Sequence, residues 1–73
     1  MKGKEGNIMN SSEIGKRLIQ LRGSRTQKEV ADAVRITPMA YSYYESGDRI
    51  PRDEIKIRIA KYYGKSVESI FYA

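Results

Sequence analysis

The apolar residues of this chain recur at the three- and four-residue spacing of helices that bury one face. The first such stripe consists of Ile14, Leu18 and Leu21. It predicts a helix over 13–22, because Gly23 follows as a typical helix-ending residue and Ser11-Ser12 precede it. A serine of that pair is the expected N-cap, since its hydroxyl accepts a hydrogen bond from the first turn.

The next segment contains two helix start signals that are separated by a very short turn. Thr26 and Glu29 have the spacing of a capping box, in which each side chain satisfies a backbone N–H of the first turn. Thr37-Pro38 is a second start, because a hydroxyl caps the helix and a proline at its first position misses no N–H. Only a short turn containing Arg35-Ile36 lies between, so the second helix must cross the first sharply. The segment of about 26–45 therefore predicts a helix-turn-helix.

Residues 55–59 alternate between isoleucine and a basic residue, which is the pattern of a strand. A single strand would find no partner in an otherwise helical chain, and the region also carries an apolar stripe at helical spacing. That stripe consists of Ile55, Ile59, Ala60, Tyr62 and Tyr63. We therefore predict a fourth helix that starts near Pro51 and Asp53 and ends at Gly64, with Ile57 lying off the stripe.

A fifth, short helix is predicted over 67–71, where Ser66 is the N-cap and the apolar residues would cover the core. Five helices with short connections indicate an all-α bundle, a single domain over 11–73. The preceding residues, 1–10, contain two glycines and no period, so they predict a flexible N-terminal arm. Lys2 and Lys4 in this arm either lie along a phosphate backbone or have no role.

The second helix of the helix-turn-helix has a face without any charge. At about 100° per residue, one half consists of Ala40, Tyr41, Tyr44 and Glu45, and the other of Met39, Ser42, Tyr43 and Ser46. The first half would pack inward. Basic residues frame the second half, namely Arg25, Lys28, Arg35, Arg49 and Arg52. A neutral, hydrogen-bonding face beside cations suits a groove bordered by phosphates, although Met39 and Tyr43 could instead cover a neighbouring helix.

The composition restricts the classes of function. The chain has 73 residues, enough for one small domain, with no cysteine and no histidine. Disulfides and thiolate sites are therefore excluded, and without paired carboxylates or a glycine-rich loop we expect no enzyme, no metal and no cofactor. No apolar run approaches the roughly 20 residues that span a membrane, so a cytoplasmic protein is expected. The net charge of +5 favours an anionic partner.

These residues, in their order and spacing, resemble the phage-repressor and Cro-like helix-turn-helix group, the XRE family. The matching motifs are Leu21-Arg22, Thr26-Gln27, Glu29-Val30-Ala31, Thr37, Tyr44-Glu45-Ser46-Gly47, Arg49, Pro51, Ile59-Ala60, Tyr63-Gly64 and Ile70-Phe71. The resemblance covers about four-fifths of the chain. It implies a five-helix, lambda-repressor-like DNA-binding domain of a transcriptional regulator that acts as a dimer, with the third helix (about 38–46) in the major groove.

The resemblance also implies a role for individual positions. The base-reading positions of the third helix are Pro38, Met39, Ala40, Ser42 and Tyr43. With the helix caps and the flanking cations, the phosphate-binding set is Arg25, Thr26, Gln27, Lys28, Thr37, Arg49 and Arg52. Arg22 and Glu45 stand where similar proteins form a buried ion pair, the alternative being two solvated charges.

Two departures from the family pattern affect the turn and the readout. Arg35 replaces a common glycine, and a left-handed conformation there would cost on the order of 1 kcal/mol. The third helix lacks Gln, Arg and Asn, so specificity would rest on thymine methyl contacts, hydroxyls and DNA shape.

The leading hypothesis is a sequence-specific DNA-binding regulator, a repressor that binds duplex DNA as a homodimer in the nucleoid. The alternative is an antitoxin or adaptor that uses the same fold to bind a protein. No small-molecule ligand is evident. The dimer surface is expected at the C-terminal helix and tail with Tyr72, unless these pack onto the domain's own core.

Overall fold

The computed structural model of the protein describes residues 9–72, which contain five helices and no strand. The helices are α1 (Ser11–Arg22), α2 (Gln27–Val34), α3 (Pro38–Ser46), α4 (Asp53–Tyr63) and α5 (Val67–Phe71). The predicted all-α fold is therefore confirmed. None of these helices is long and apolar enough to cross a membrane.

The start of α1 differs from the prediction. The Oδ1 atom of Asn10 accepts a hydrogen bond from the Glu13 N–H at 2.9 Å, and the helix begins at Ser11. The predicted serine cap is therefore wrong. Asparagine and serine are comparable N-caps, so residue type does not decide between adjacent positions.

The prediction of a flexible N-terminal arm over 1–10 is wrong for its last two residues, Met9 and Asn10. Met9 is buried, and its N–H donates to the carbonyl oxygen of Phe71 at 2.8 Å. Asn10 caps α1, so both residues belong to the folded domain. Two residues are too few to show a period, which is why the pattern of the sequence did not separate them from the arm. The rest of the predicted arm, 1–8, lies outside the described residues.

The two start signals of the helix-turn-helix act as predicted. The Thr26 hydroxyl accepts from the Glu29 N–H at 3.0 Å, and the Glu29 carboxylate accepts from the Thr26 N–H at 2.9 Å, which completes the capping box. The Thr37 hydroxyl accepts from the Ala40 N–H at 3.0 Å, with Pro38 at the first helical position. Each helix therefore begins after a threonine whose hydroxyl satisfies a backbone N–H of the first turn.

The turn between α2 and α3 contains a left-handed arginine. Arg35 has φ 63° and ψ 49°, the conformation that glycine adopts most easily. The Arg58 guanidinium of α4 donates to the carbonyl oxygens of Val34 at 2.9 Å and Arg35 at 3.1 Å. The end of α2 is thus capped from another helix, and these two bonds oppose the conformational cost of about 1 kcal/mol at Arg35.

The core joins the inward faces of all five helices. Its largest fully buried side chains are Ile14, Leu18, Val30, Val34, Tyr41, Pro51, Ile59, Ile70 and Phe71. Helix α3 packs against α1 and α2, while α5 packs against α1 and α4. The third helix is therefore supported on its inner side by the first two.

Helix α4 confirms the choice of helix over strand for 55–59, with one correction to its stripe. Ile57 is 51% exposed, as predicted, but Tyr62 is 36% exposed and does not belong to the core. Lys56 is buried instead, with Nζ 3.5 Å from Asp53 Oδ1 and 3.4 Å from the Tyr72 hydroxyl. A long side chain can bury its methylenes and keep its charge near polar partners, which a stripe of apolar residues does not reveal.

The fifth helix closes the core as predicted. The Ser66 hydroxyl caps it by accepting from the Ser69 N–H at 3.1 Å. Ile70 and Phe71 are buried in the core, and Val67 is partly buried and packs against the same core.

Candidate nucleic-acid interface

The outward half of α3 is open to solvent. Met39 is 65% exposed and Pro38 is also exposed, while Ser42 and Tyr43 are half-buried. The opposite half carries Tyr41 and Glu45, both buried. The alternative in which Met39 and Tyr43 cover a neighbouring helix of this domain is wrong for Met39, because its side chain projects into solvent.

Ala40 lies at the border between the two halves of α3. The helical phase assigns it to the inward half, whereas the resemblance assigns it to base reading. It is half-buried, which fits a position between the two halves. Its N–H is occupied by the Thr37 cap.

Tyr41 anchors α3 from the inside. Its ring is fully buried, and its hydroxyl lies 2.8 Å from the hydroxyl of Tyr63 on α4. Burial raises the pKa of Tyr41 well above the ordinary tyrosine value, and the hydrogen bond to Tyr63 adds to this shift. Burial likewise raises the pKa of Tyr63. The two phenols therefore form a protonated, hydrogen-bonded pair that connects α3 to α4.

The structure brings Arg22 and Glu45 together across α1 and α3. Arg22 Nε lies 2.6 Å from Glu45 Oε2, and Arg22 Nη2 lies 3.1 Å from Oε1, so the pair is bidentate. The side chain of Glu45 is only 5% exposed and that of Arg22 is 22% exposed. The hydrogen bond to Glu45 raises the pKa of the Arg22 guanidinium. The alternative of two solvated charges is wrong.

Gln27 is the third member of this cluster. Its Nε2 atom donates to Glu45 Oε1 at 2.8 Å, which fixes the amide at the first position of α2. An amide nitrogen carries two hydrogens, so one remains for an outside acceptor. The position of Gln27 at the helix N-terminus was predicted from the sequence, whereas its bond to Glu45 was not.

The close contact between α1 and α3 depends on Gly15, which sequence reasoning missed. A Cβ atom at this position would overlap the backbone carbonyl of Glu45. Gly15 is buried in the middle of α1, where glycine is unfavourable by about 1 kcal/mol relative to alanine. A glycine inside an otherwise regular apolar stripe was the signal that pointed to such a contact.

The cations around α3 occupy different environments. Lys28 pairs with Asp32 at 2.8 Å on the exposed face of α2. The Arg25 guanidinium lies 5.4 and 5.5 Å from the ring centres of Tyr62 and Tyr63 and donates to the Leu21 carbonyl at 3.0 Å. Arg25 is thus drawn toward α4.

Two further cations follow α3 in the chain. The Arg49 guanidinium lies 5.0 Å from the ring centre of Tyr43. Arg52 is exposed at the start of α4, where its side chain makes no capping bond.

Comparison with known proteins identifies the family. A helix-turn-helix family model matches residues 16–70, more than half of the chain. The chain belongs to the XRE, or lambda-repressor-like, helix-turn-helix family. It is therefore a DNA-binding helix-turn-helix regulator. No curated protein and no solved structure matches the chain significantly.

Membership in this family implies that the chain binds DNA. Major-groove DNA is about 12 Å wide and accepts a helix. Within the described residues, no three acidic side chains converge where they could hold a metal ion.

Proposed function

We propose that this protein is a sequence-specific transcriptional repressor that inserts α3 into the major groove of DNA as a homodimer. The observation that supports this function most directly is the exposed, uncharged face of α3 beside exposed cations. Such a helix can approach base edges, while the cations attract the phosphates on either side. A protein of this kind would act in the cytoplasm, on the nucleoid.

Five positions of α3 are proposed to face the bases: Pro38, Met39, Ala40, Ser42 and Tyr43. Met39 and Ala40 offer methyl groups that suit the C5-methyl group of thymine. Ser42 and Tyr43 carry hydroxyls, which can donate to or accept from base edges. The exposure of Met39 supports the first contact, because its side chain extends away from the domain.

The N-termini of α2 and α3 are proposed to bind phosphates. Free N–H groups and the helix dipole attract an anion at such an end. Thr26 and Thr37 use their oxygens to cap these helices, and each hydroxyl still has a hydrogen to donate. The second amide hydrogen of Gln27 is also available to a phosphate oxygen. Arg25, Lys28 and Arg52 add positive charge, which contributes affinity without reading sequence.

The homodimer is proposed because one small domain covers few base pairs. Two copies would bind half-sites about one helical turn, roughly 34 Å, apart. The surface between the first half of α4 and the start of α5 supports such a contact, because Ile57 is exposed there beside a cleft of about 490 Å³. Tyr72 packs partly against the domain's own core, so the tail alone does not form this surface.

Selection of bound sites from random DNA, followed by sizing of the complex, tests this function. We expect enrichment of a two-fold symmetric site that binds two chains, and reduced transcription from a promoter that carries the site. The log of the association constant should fall with log salt by about 0.9 per phosphate contacted. Absence of any enriched sequence would contradict sequence-specific binding.

A second candidate, an antitoxin or adaptor that binds another protein, is supported by the same exposed Met39. An apolar side chain on an uncharged face can also pack against a protein partner. Salt separates the two functions, because a protein contact through this face involves no release of counterions from phosphates. Salt-independent binding to a protein, with no enrichment of DNA, would favour the second candidate.

A further inference from the structure

Arg49 is held above the outward face of α3. Its guanidinium carbon lies 5.0 Å from the ring centre of Tyr43, a cation–π contact. Tyr43 is half-buried and lies about one helical turn beyond Met39 on that face. The arginine therefore belongs spatially to the recognition surface, although it lies outside α3 in the sequence.

The backbone of the loop after α3 fixes this position. Gly47 ends the helix with φ 87°, a value that favours glycine. The carbonyl oxygen of Tyr43 then accepts from the Asp48 N–H at 2.9 Å and from the Arg49 N–H at 3.3 Å. The loop thus folds back onto the last turn of α3. These backbone bonds place the Cα atom of Arg49 near Tyr43, whose ring its guanidinium contacts.

The donors of Arg49 have no partner within the described residues. No hydrogen bond or ion pair involves its guanidinium there, whereas Arg22 binds Glu45 and Arg58 binds the carbonyls of α2. The neighbouring Asp48 carboxylate instead accepts from the Ser46 hydroxyl at 2.9 Å. The ring contact engages the face of the guanidinium, so the N–H groups in its plane are free for an outside acceptor.

An arginine held in this way supplies a guanidinium donor, which α3 itself lacks. No residue of α3 carries a guanidinium, an ammonium or an amide side chain. Guanine offers two acceptors in the major groove, O6 and N7, which match the fork of an arginine. We infer that Arg49, stacked on Tyr43, reads a guanine in each half-site, a specificity role beyond the phosphate contact that the family resemblance implies. This inference rests on the proposed function.

Site selection with matched variants tests the inference. Arg49→Gln replaces the guanidinium by an amide, which matches adenine rather than guanine, so we expect the preference for guanine at one position to fall roughly 5- to 100-fold. Arg49→Lys keeps a charge that can still donate to guanine, so its salt dependence should stay unchanged and it should lose less of this preference. Tyr43→Leu removes the ring and should lower the same preference, whereas Tyr43→Phe retains the ring and should preserve it.

Arg52→Ala is the control for a phosphate contact. It should weaken binding to all sequences alike and reduce the salt slope by about 0.9. Thermal unfolding would be recorded for every variant, since Tyr43 is half-buried. For any variant that unfolds early, binding would be measured at a temperature where it is folded.

Two outcomes would overturn the inference. Arg49→Ala could behave like Arg52→Ala, with a uniform loss, a smaller salt slope and an unchanged base preference. Arg49→Gln could retain the full guanine preference. In both cases the wild-type protein still selects a site, so the proposed function stands. A wild-type protein that selects no sequence would overturn the proposed function and this inference together.

Discussion

Single residues determine how charge is distributed near the recognition surface. Glu45 is a buried carboxylate, and three donors from Arg22 and Gln27 satisfy it. It therefore brings the first three helices together at one point. Such a cluster stabilises the fold only while every member is present, because an unpaired charge in a buried place is unfavourable.

Glu45→Ala should lower the free energy of unfolding by about 2–4 kcal/mol, since Arg22 and the Gln27 amide lose their acceptor. Because Arg22 is partly exposed, this loss of unfolding free energy should be smaller than for a fully buried ion pair. Urea denaturation measures the change. Glu45→Gln keeps the shape of the side chain and should lower the free energy of unfolding by less than Glu45→Ala. Asp32→Ala, which breaks the exposed pair with Lys28, should leave the midpoint nearly unchanged. Equal midpoints for Glu45→Ala and wild type would contradict this prediction.

Gln27→Ala should weaken binding to all DNA sequences to a similar degree, because a phosphate contact carries no base information. A neutral amide releases no counterion, so the salt slope should not change. Lys28→Ala is the matched comparison and should reduce the slope by about 0.9. Binding isotherms at several salt concentrations measure both effects. A loss at one operator only would show that Gln27 reads a base.

At the scale of elements, the contact between α1 and α3 positions the recognition helix. Gly15 allows the two backbones to approach, and the ion pair joins them seven residues further along α1. Helix α3 is therefore fixed from one side by α1 and from another by the phenol pair with α4. The exposed face can remain free of core contacts because the inner face carries all of this support.

Gly15→Ala should destabilise the protein by about 1–3 kcal/mol, since the added methyl group overlaps backbone that cannot rotate away. This loss would appear despite the better helix propensity of alanine. Lys16→Ala, at the exposed neighbouring position, is the control and should change stability little. Thermal unfolding measures both. A more stable Gly15→Ala variant would show that α1 and α3 can separate without loss.

At the scale of the whole molecule, the sequence predicted the elements better than the contacts between them. Helix starts depend on local chemistry, so the caps at Thr26, Thr37 and Ser66 were predictable. The bonds of Arg58 to the end of α2, and of Gln27 to Glu45, join residues 18 or more positions apart. A periodic pattern carries no information on such pairs. The ion pair between Arg22 and Glu45 was predictable only through the family resemblance.

The same reasoning explains the errors at Met9 and Lys56. Met9 is buried because its backbone pairs with Phe71, a contact between the two ends of the described chain. Lys56 is buried because the tail brings Tyr72 over it. Both errors arise where tertiary contacts override a local pattern. The stacking of Arg49 on Tyr43 is of this kind too, since it depends on the loop that follows α3.

The stability of the whole domain should fall at alkaline pH. Burial raises the pKa values of Tyr41 and Tyr63 in the folded protein. A tyrosine in the unfolded chain titrates near 10, so above about pH 10 the unfolded state loses protons that the folded state retains. The unfolded state is then favoured by up to about 1.4 kcal/mol per pH unit for each such group. Below pH 10 these two tyrosines should cause no pH dependence of the domain's stability.

Tyr41→Phe tests this prediction, because it removes one of the two titrating groups and leaves the ring. At pH 7 the variant should be less stable by about 1 kcal/mol, through loss of the hydrogen bond to Tyr63. Between pH 10 and pH 11.5 its stability should decline less steeply than that of the wild type, so the two curves approach each other. Urea midpoints across this range measure the slopes. Parallel curves would show that the Tyr41 phenol ionises as readily in the folded protein as in the unfolded chain.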